Sequence, residues 1–328
     1  MTKFNKQKRL EAAIAGEKVD RLPVALWRHW PGDDQDAQAL AAAHISWQKA
    51  YDWDFVKVSP SSSYAIHDWG VESVWEGNIE GTRTYTRRAV TNPAGWAELP
   101  LLDPSDGMLA VQIEALRLIG EAFGSETPFL TTIFSPLSQA KNISGGEAML
   151  SHMRQDPDAF QAGLQTITQS TLRFIDAARK TGISGIYYAI QHNRYNLMSP
   201  VEYQIFGQPY DEEILSFVND LMMNVVHVHG EGAYLDIVAD YPVEVVNWHD
   251  REAPADLAAG LKQIIGAANG GVSRWSMLQE SPEGALAEAI DAVQQTGGKR
   301  FILGTGCVIM VTTPTRNIRA LRDFVENS

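Results

Sequence analysis

With 328 residues, 45% of them apolar, the chain carries ample material for a large core and needs no covalent staple. Its 40 acidic and 27 basic residues give a formal charge of −13, which argues against a nucleic-acid or anionic-membrane surface, because phosphate binding needs concentrated Lys and Arg. One cysteine, Cys307, excludes an internal disulfide. Together with an N-terminus lacking an apolar signal core, and no run near the ~20 apolar residues of a membrane span, it leads us to expect a cytoplasmic protein.

Residues 5–16 predict a helix, with Leu10, Ala13 and Ile14 on one face and Gly16 as its stop. Apolar runs then recur at 24–27, 55–58, 129–134, 185–190, 224–228, 243–248, 272–277 and 300–303. Between them lie the helix-patterned segments 108–123, 157–181, 209–221, 253–268 and 282–296, and 314–325 follows the last run. Eight strand candidates alternating with helices predict an α/β fold, a (β/α)8 TIM barrel in one domain spanning 1–328. Residues 71–90 alternate with period two around Glu-Gly turns and predict a β-hairpin inserted after the second strand.

Barrel enzymes place their chemistry where the parallel strands end, so polar residues at those positions are the site candidates. Arg28 and His29 follow the first run, where an arginine can clamp an anion or simply stack on Trp27 and Trp30. Gln191, His192, Asn193 and Arg194 follow the fourth, and His192 is a catalytic candidate. His227 and His229 alternate to one side at the end of the fifth, followed by Gly230 and Glu231. His249 and Asp250 end the sixth and could orient or complete the same cluster, with Asp250 as a carboxylate ligand or acceptor; the alternative for Asp250 is a helix cap. Two imidazoles and the Cys307 thiolate would supply three N/S donors with an open fourth position, as a catalytic zinc requires. The spacing is equally compatible with a hydrogen-bonded polar layer and a buried, inert thiol.

Three segments resemble the uroporphyrinogen decarboxylase superfamily. RLEAAIAGEKVDRLPVALWR is similar to its opening "R-x-x-A-x-x-G-x-x-x-D-R-x-P-V" block, GISGIYYAIQHNRYNLMSPVEYQIFGQPYDEEIL to its fourth-strand block, and ILGTGCVIMVTTPTRNIRAL to its closing "T-P-x-x-N-I-x-A-L" motif. In the decarboxylase an "R-Q-A-G-R" clamp holds the substrate carboxylates; Arg28 matches its first arginine, but Gly32 falls at the second. Pro60 lies near the position of the "F-S-D" aspartate, and Cys307 at that of the "G-H-G" histidine. The methyltransferase branch instead supplies His, Cys and Cys to zinc from "H-x-C-G" and "G-C" motifs, which here read His227-Val228-His229-Gly230 and Gly306-Cys307.

The resemblance therefore implies a zinc-assisted methyltransferase with His227, His229 and Cys307 as ligands and Arg28, His192 and Asp250 as catalytic candidates. It further implies a small methyl donor or acceptor, a cobalamin carried by a separate corrinoid protein, and a homodimer. Two alternatives stay open: a metal-free decarboxylase or lyase using Arg28 with His227 or His229, and a tetrapyrrole- or corrinoid-binding protein without chemistry.

Overall fold

Short runs of Val, Ile, Phe and Tyr with both faces buried pair side by side, because neither face tolerates water. In the computed structural model, which describes residues 4–192, 197–232 and 235–326, nine strands form. They are β1 (Val56–Val58), β2 (Glu72–Val74), β3 (Thr84–Arg87), β4 (Phe129–Phe134), β5 (Gly185–Ile190), β6 (Val225–Val228), β7 (Val245–Trp248), β8 (Ala267–Val272) and β9 (Phe301–Thr305). Seven make one curled parallel sheet in the order β1-β4-β5-β6-β7-β8-β9, while β2 and β3 pair separately and antiparallel. Every residue of the seven is buried. Helices such as Gly107–Phe123, Pro157–Arg179 and Pro282–Thr296 alternate with the strands. Among the described residues no helix is long and apolar enough to cross a membrane.

The first expected strand, 24–27, contributes one parallel bridge, Val24 to Leu303, rather than a strand. Its backbone is nevertheless held on both sides: Ala25 N donates to Leu303 O (3.1 Å), Leu303 N to Pro23 O (2.9 Å), and Asp54 N to Val24 O (3.0 Å). The segment thus lies between β9 and the approach to β1.

The opening motif has a structural meaning. Arg9 forks onto Asp20 (both bonds 2.7 Å) and reaches Asp54 (2.7 Å), which also receives Arg21 (2.7 Å) and the Val24 amide (2.8 Å). Asp54 is fully buried, so two guanidiniums and a backbone N–H neutralise one carboxylate at the start of β1, away from the strand ends that carry the site.

One expectation is shifted. The helix expected at 253–268 shrinks to Leu257–Gly260, and the strand expected at 272–277 is β8, six residues from 267, after which Arg274–Gln279 is helical. Ser273 ends the strand by capping that helix, its hydroxyl accepting from Trp275 N (3.2 Å). β8 reads AANGGV and lacks the β-branched signature because a helix presses on it: a Cβ at Gly271 would lie 2.7 Å from the Ala292 Cβ.

His44 is buried on the helix Ala37–Tyr51 with both ring nitrogens committed. Nδ1 donates to Leu40 O (2.9 Å) and Nε2 accepts from Ser59 N (2.9 Å), which fixes the neutral ring. Burial pushes its pKa down to about 4, with Lys57 adding to the shift and the Leu40 bond opposing it. Between that value and the unfolded pKa of ~6.5 the unfolded chain binds the extra proton, so the contribution is present above ~6.5 and is lost as pH falls toward 4. Denaturant unfolding of wild type and His44→Gln at pH 7.5 and 5 checks this: the loss of stability on acidification should be smaller in the variant by about 2 kcal/mol.

Candidate metal centre

β6 and β7 run parallel with His227 opposite Asn247, and Asn247 opposite Asn269 on β8, so one layer of the sheet interior is polar. Its members satisfy one another. Asn247 Nδ2 donates to Asn269 O (2.8 Å), Asn269 Oδ1 (3.2 Å) and Thr305 O (3.0 Å), which turns its oxygen toward His227 Nδ1 (2.6 Å) and the Tyr187 hydroxyl (2.8 Å). His227 Nδ1 must then carry the proton, leaving Nε2 free to ligate on the other side of the ring.

That side faces three further donors. His229 follows β6, His249 follows β7 and Cys307 follows β9, all at C-terminal strand ends. His227 Nε2 lies 3.4 Å from His229 Nδ1, which lies 3.3 Å from His249 Nε2; Cys307 Sγ lies 3.8 Å from His227 Nε2 and 3.7 Å from His229 Nδ1. One ligand atom from each of the four residues falls within 4.8 Å of all the others. A tetrahedral zinc with N at about 2.0–2.1 Å and S at about 2.3 Å separates its donors by roughly 3.3 Å (N···N) and 3.6 Å (N···S). These four spacings match, and imidazole and thiolate are both donors that zinc accepts, so the residues fit the metal.

His249 is held as His227 is. Its Nδ1 meets Glu252 Oε2 at 3.0 Å, the carboxylate–histidine arrangement that orients a metal ligand, and Glu252 in turn lies 3.6 Å from Arg274 Nε. Burial alone would raise the Cys307 pKa, but its contacts with the His227, His229 and His249 rings overrule it and hold the thiol well below its usual range. Burial also opposes charge on His249, yet its contacts with Cys307 and Glu252 lift it to about 9. Gly306 lets the sulfur arrive: a Cβ there would sit 2.5 Å from Trp248 O and 2.8 Å from the His249 Cα.

A hollow of about 270 Å³ opens above the cluster, walled by Trp27, Phe134 and Tyr187 from the sheet side and by Glu80, Thr82, Arg83 and Tyr85 from the β2–β3 segment. That segment leans on the mouth through Val311 N to Ile79 O (2.8 Å), the Arg83–Asp34 pair, and Gly81, where a Cβ would meet the His29 Cβ at 2.6 Å. Lys57, His29 and Gln191 also line the hollow.

His227, His229 and Cys307 are thus brought together, and His249, which could orient or complete the cluster, joins them. Its neighbour Asp250 turns the other way, both carboxylate oxygens 3.2 Å from Gly271 N and one 3.6 Å from Arg251 Nε. Arg28 is not at the hollow. Trp27 and His29 point in, so alternation points Arg28 out, over the Trp30 ring (4.2 Å) with Nη1 on Val311 O (2.7 Å). His192 is buried just beyond β5 and Glu231 is exposed; Asn193 and Arg194 lie outside the described residues. Lys57, Asn247 and Glu252 were missed. Lys57, in the middle of the buried run VKV, is the one that sequence could have flagged.

The chain is similar along its whole length to a methylcobamide:CoM methyltransferase MtbA of Methanosarcina acetivorans, 21% identical with 100% of this chain and 99% of the relative covered. A methylcobamide:CoM methyltransferase MtaA of Methanosarcina barkeri is 24% identical, with 98% and 97% covered. In fold it resembles a solved methyltransferase from Methanosarcina mazei, with a TM-score of 0.86, 21% identity, and 98% and 99% of the two chains covered. The profile of the uroporphyrinogen decarboxylase (URO-D) family matches residues 5–328, and the chain belongs to that family.

Proposed function

We propose that the protein is a methyltransferase that moves a methyl group between a corrinoid on a separate protein and a small thiol or methylated substrate. Zinc held by His227, His229, His249 and Cys307 assists it, on an eight-staved barrel in which residues 24–27 form the stave between β9 and β1 and β2–β3 is an insertion at the mouth. The observation that carries the reading is the donor set: four N/S atoms at zinc spacing, at the C-terminal ends of the strands, under an open hollow. Full-length similarity to methylcobamide:CoM methyltransferases supports the reaction class.

When bound, zinc would supply Lewis acidity, lowering the pKa of a thiol or polarising a methyl-bearing sulfur or oxygen that joins the four donors or takes the place of one of them. The chain does the positioning. Asn247 and Glu252 fix which nitrogen of His227 and His249 faces the other donors. Trp27, Phe134, Tyr187 and Tyr85 wall it with rings that exclude water around a small substrate. The metal-free decarboxylase needs a carboxylate clamp beside the histidines, and Arg28 stands on Trp30 outside the hollow.

Elemental analysis of protein purified without chelator tests the reading, together with methyl transfer from methylcobalamin to 2-mercaptoethanol followed by absorbance. The expected result is about one zinc per chain and turnover lost on metal removal. Zinc-free protein, or turnover indifferent to chelation, would overturn it.

A further inference from the structure

Lys57 is 5% exposed and lines the same hollow as His227, His229 and Cys307. Its Nζ meets Ser59 Oγ at 3.1 Å and the Tyr187 ring at 4.7 Å from the centroid. Among the described residues no carboxylate lies within ion-pair distance of it, and it makes no hydrogen bond to any of the four metal-site donors. A lysine kept only for structure is seldom buried without a counter-ion, because desolvating an ammonium is costly. One ring connects it to the centre: Tyr187 stacks on His227 with centroids 5.6 Å apart and planes at 28°. The Tyr187 hydroxyl is already committed to Asn247, so the tyrosine offers a surface rather than a proton.

Methyl transfer to a thiol has a proton to place. We propose that Lys57 is a further catalytic residue, the base that takes the thiol proton beside the metal centre. The S–H bond breaks, its electron pair stays on sulfur and the proton goes to the Nζ lone pair. Sulfur then bonds to the methyl carbon of a methyl-corrinoid, and the Co–C electron pair returns to cobalt, taking it from Co(III) to Co(I). In the opposite direction the ammonium returns the proton to the departing thiolate. This assignment rests on the methyl-transfer reading.

The surroundings suit the role. Burial pushes the Lys57 pKa down to about 7, against the opposing charge of Cys307, so a fraction is neutral amine near neutral pH. The titratable groups around it do not compete: His29 and His44 are pushed down to about 4 by burial, and burial raises the Tyr187 hydroxyl far above its usual range. Of the charged residues on the far wall, Glu80 is paired with Arg274 (2.8 Å) and Arg83 with Asp34, and Lys141 lines the hollow from the helix Pro136–Ser144.

The test uses full-length zinc-loaded protein as wild type, Lys57→Met and Lys57→Arg, with methylcobalamin and 2-mercaptoethanol. Both variants should lose roughly 100- to 1,000-fold in kcat with zinc content unchanged, and the wild-type rise in kcat through an apparent pKa near 7 should flatten. A readout independent of turnover is NMR of protein carrying 13C at the lysine ε position: one resonance should titrate near 7, absent from Lys57→Met. If the wild type turns over and Lys57→Met keeps its rate within a few-fold with the same pH profile, Lys57 is not the base and the methyl-transfer reading survives. If no lysine titrates between ~6 and ~8.5, the assignment falls even where the variants fail to fold. A wild type with no methyl transfer removes both.

Discussion

Cys307→Ser is expected to weaken zinc binding by more than 100-fold and to leave methyl transfer below about 1% of wild type, because loss of a mere orienting partner already costs about 10–100-fold in metal affinity. The substitution removes the only thiolate of the set. Three imidazoles hold the Cys307 thiol well below its usual range against burial, whereas a serine hydroxyl in the same place stays protonated at neutral pH and offers a poor donor. Neutral imidazoles alone would remain around a divalent ion. Zinc per chain by elemental analysis and affinity by chelator competition measure the effect. Because metal binds the folded state, the thermal midpoint with and without chelator should differ in wild type and barely differ in Cys307→Ser. Full zinc content with undiminished turnover in the variant would remove Cys307 from the ligand set.

The second large effect lies at the opposite end of the strands. Asp54→Ala is expected to destabilise the protein by about 3–5 kcal/mol in denaturant unfolding, the range for breaking a buried charge pair from one side. Removing the carboxylate leaves Arg21 and one arm of Arg9 facing a buried void, and strips the Val24 amide of its acceptor. Val24 anchors the segment lying between β9 and β1, so the loss falls where the sheet curls back on itself. Asp54→Asn should cost less, since its amide oxygen still accepts from Val24. Equal, small losses in both variants would show that water satisfies the arginines.

The alternation of buried runs with amphipathic segments was legible because a parallel sheet covered by helices demands both patterns in sequence. It failed at β8, where packing against a helix required Ala and Gly in place of β-branched residues. It overreached at 24–27, where two segments share hydrogen bonds without extending into a strand. The opening motif was readable as a family mark, yet its partner, Asp54, lies 33 positions beyond Arg21 and carries no local signal.

The sequence by itself marked three candidate donors, His227 and His229 on one side of a strand and a single thiol after the last one, since residue type and strand parity are local properties. Tertiary structure alone decided that His249 joins the cluster while Asp250 turns to a backbone amide, that Arg28 faces outward, and that a lysine with no carboxylate partner among the described residues shares the hollow. Those outcomes depend on how neighbouring strands are staggered and on what stands opposite each side chain. Such relations join residues 80 positions apart, as between Cys307 and His227, or 283 apart, as between Arg28 and Val311, and no local pattern encodes them.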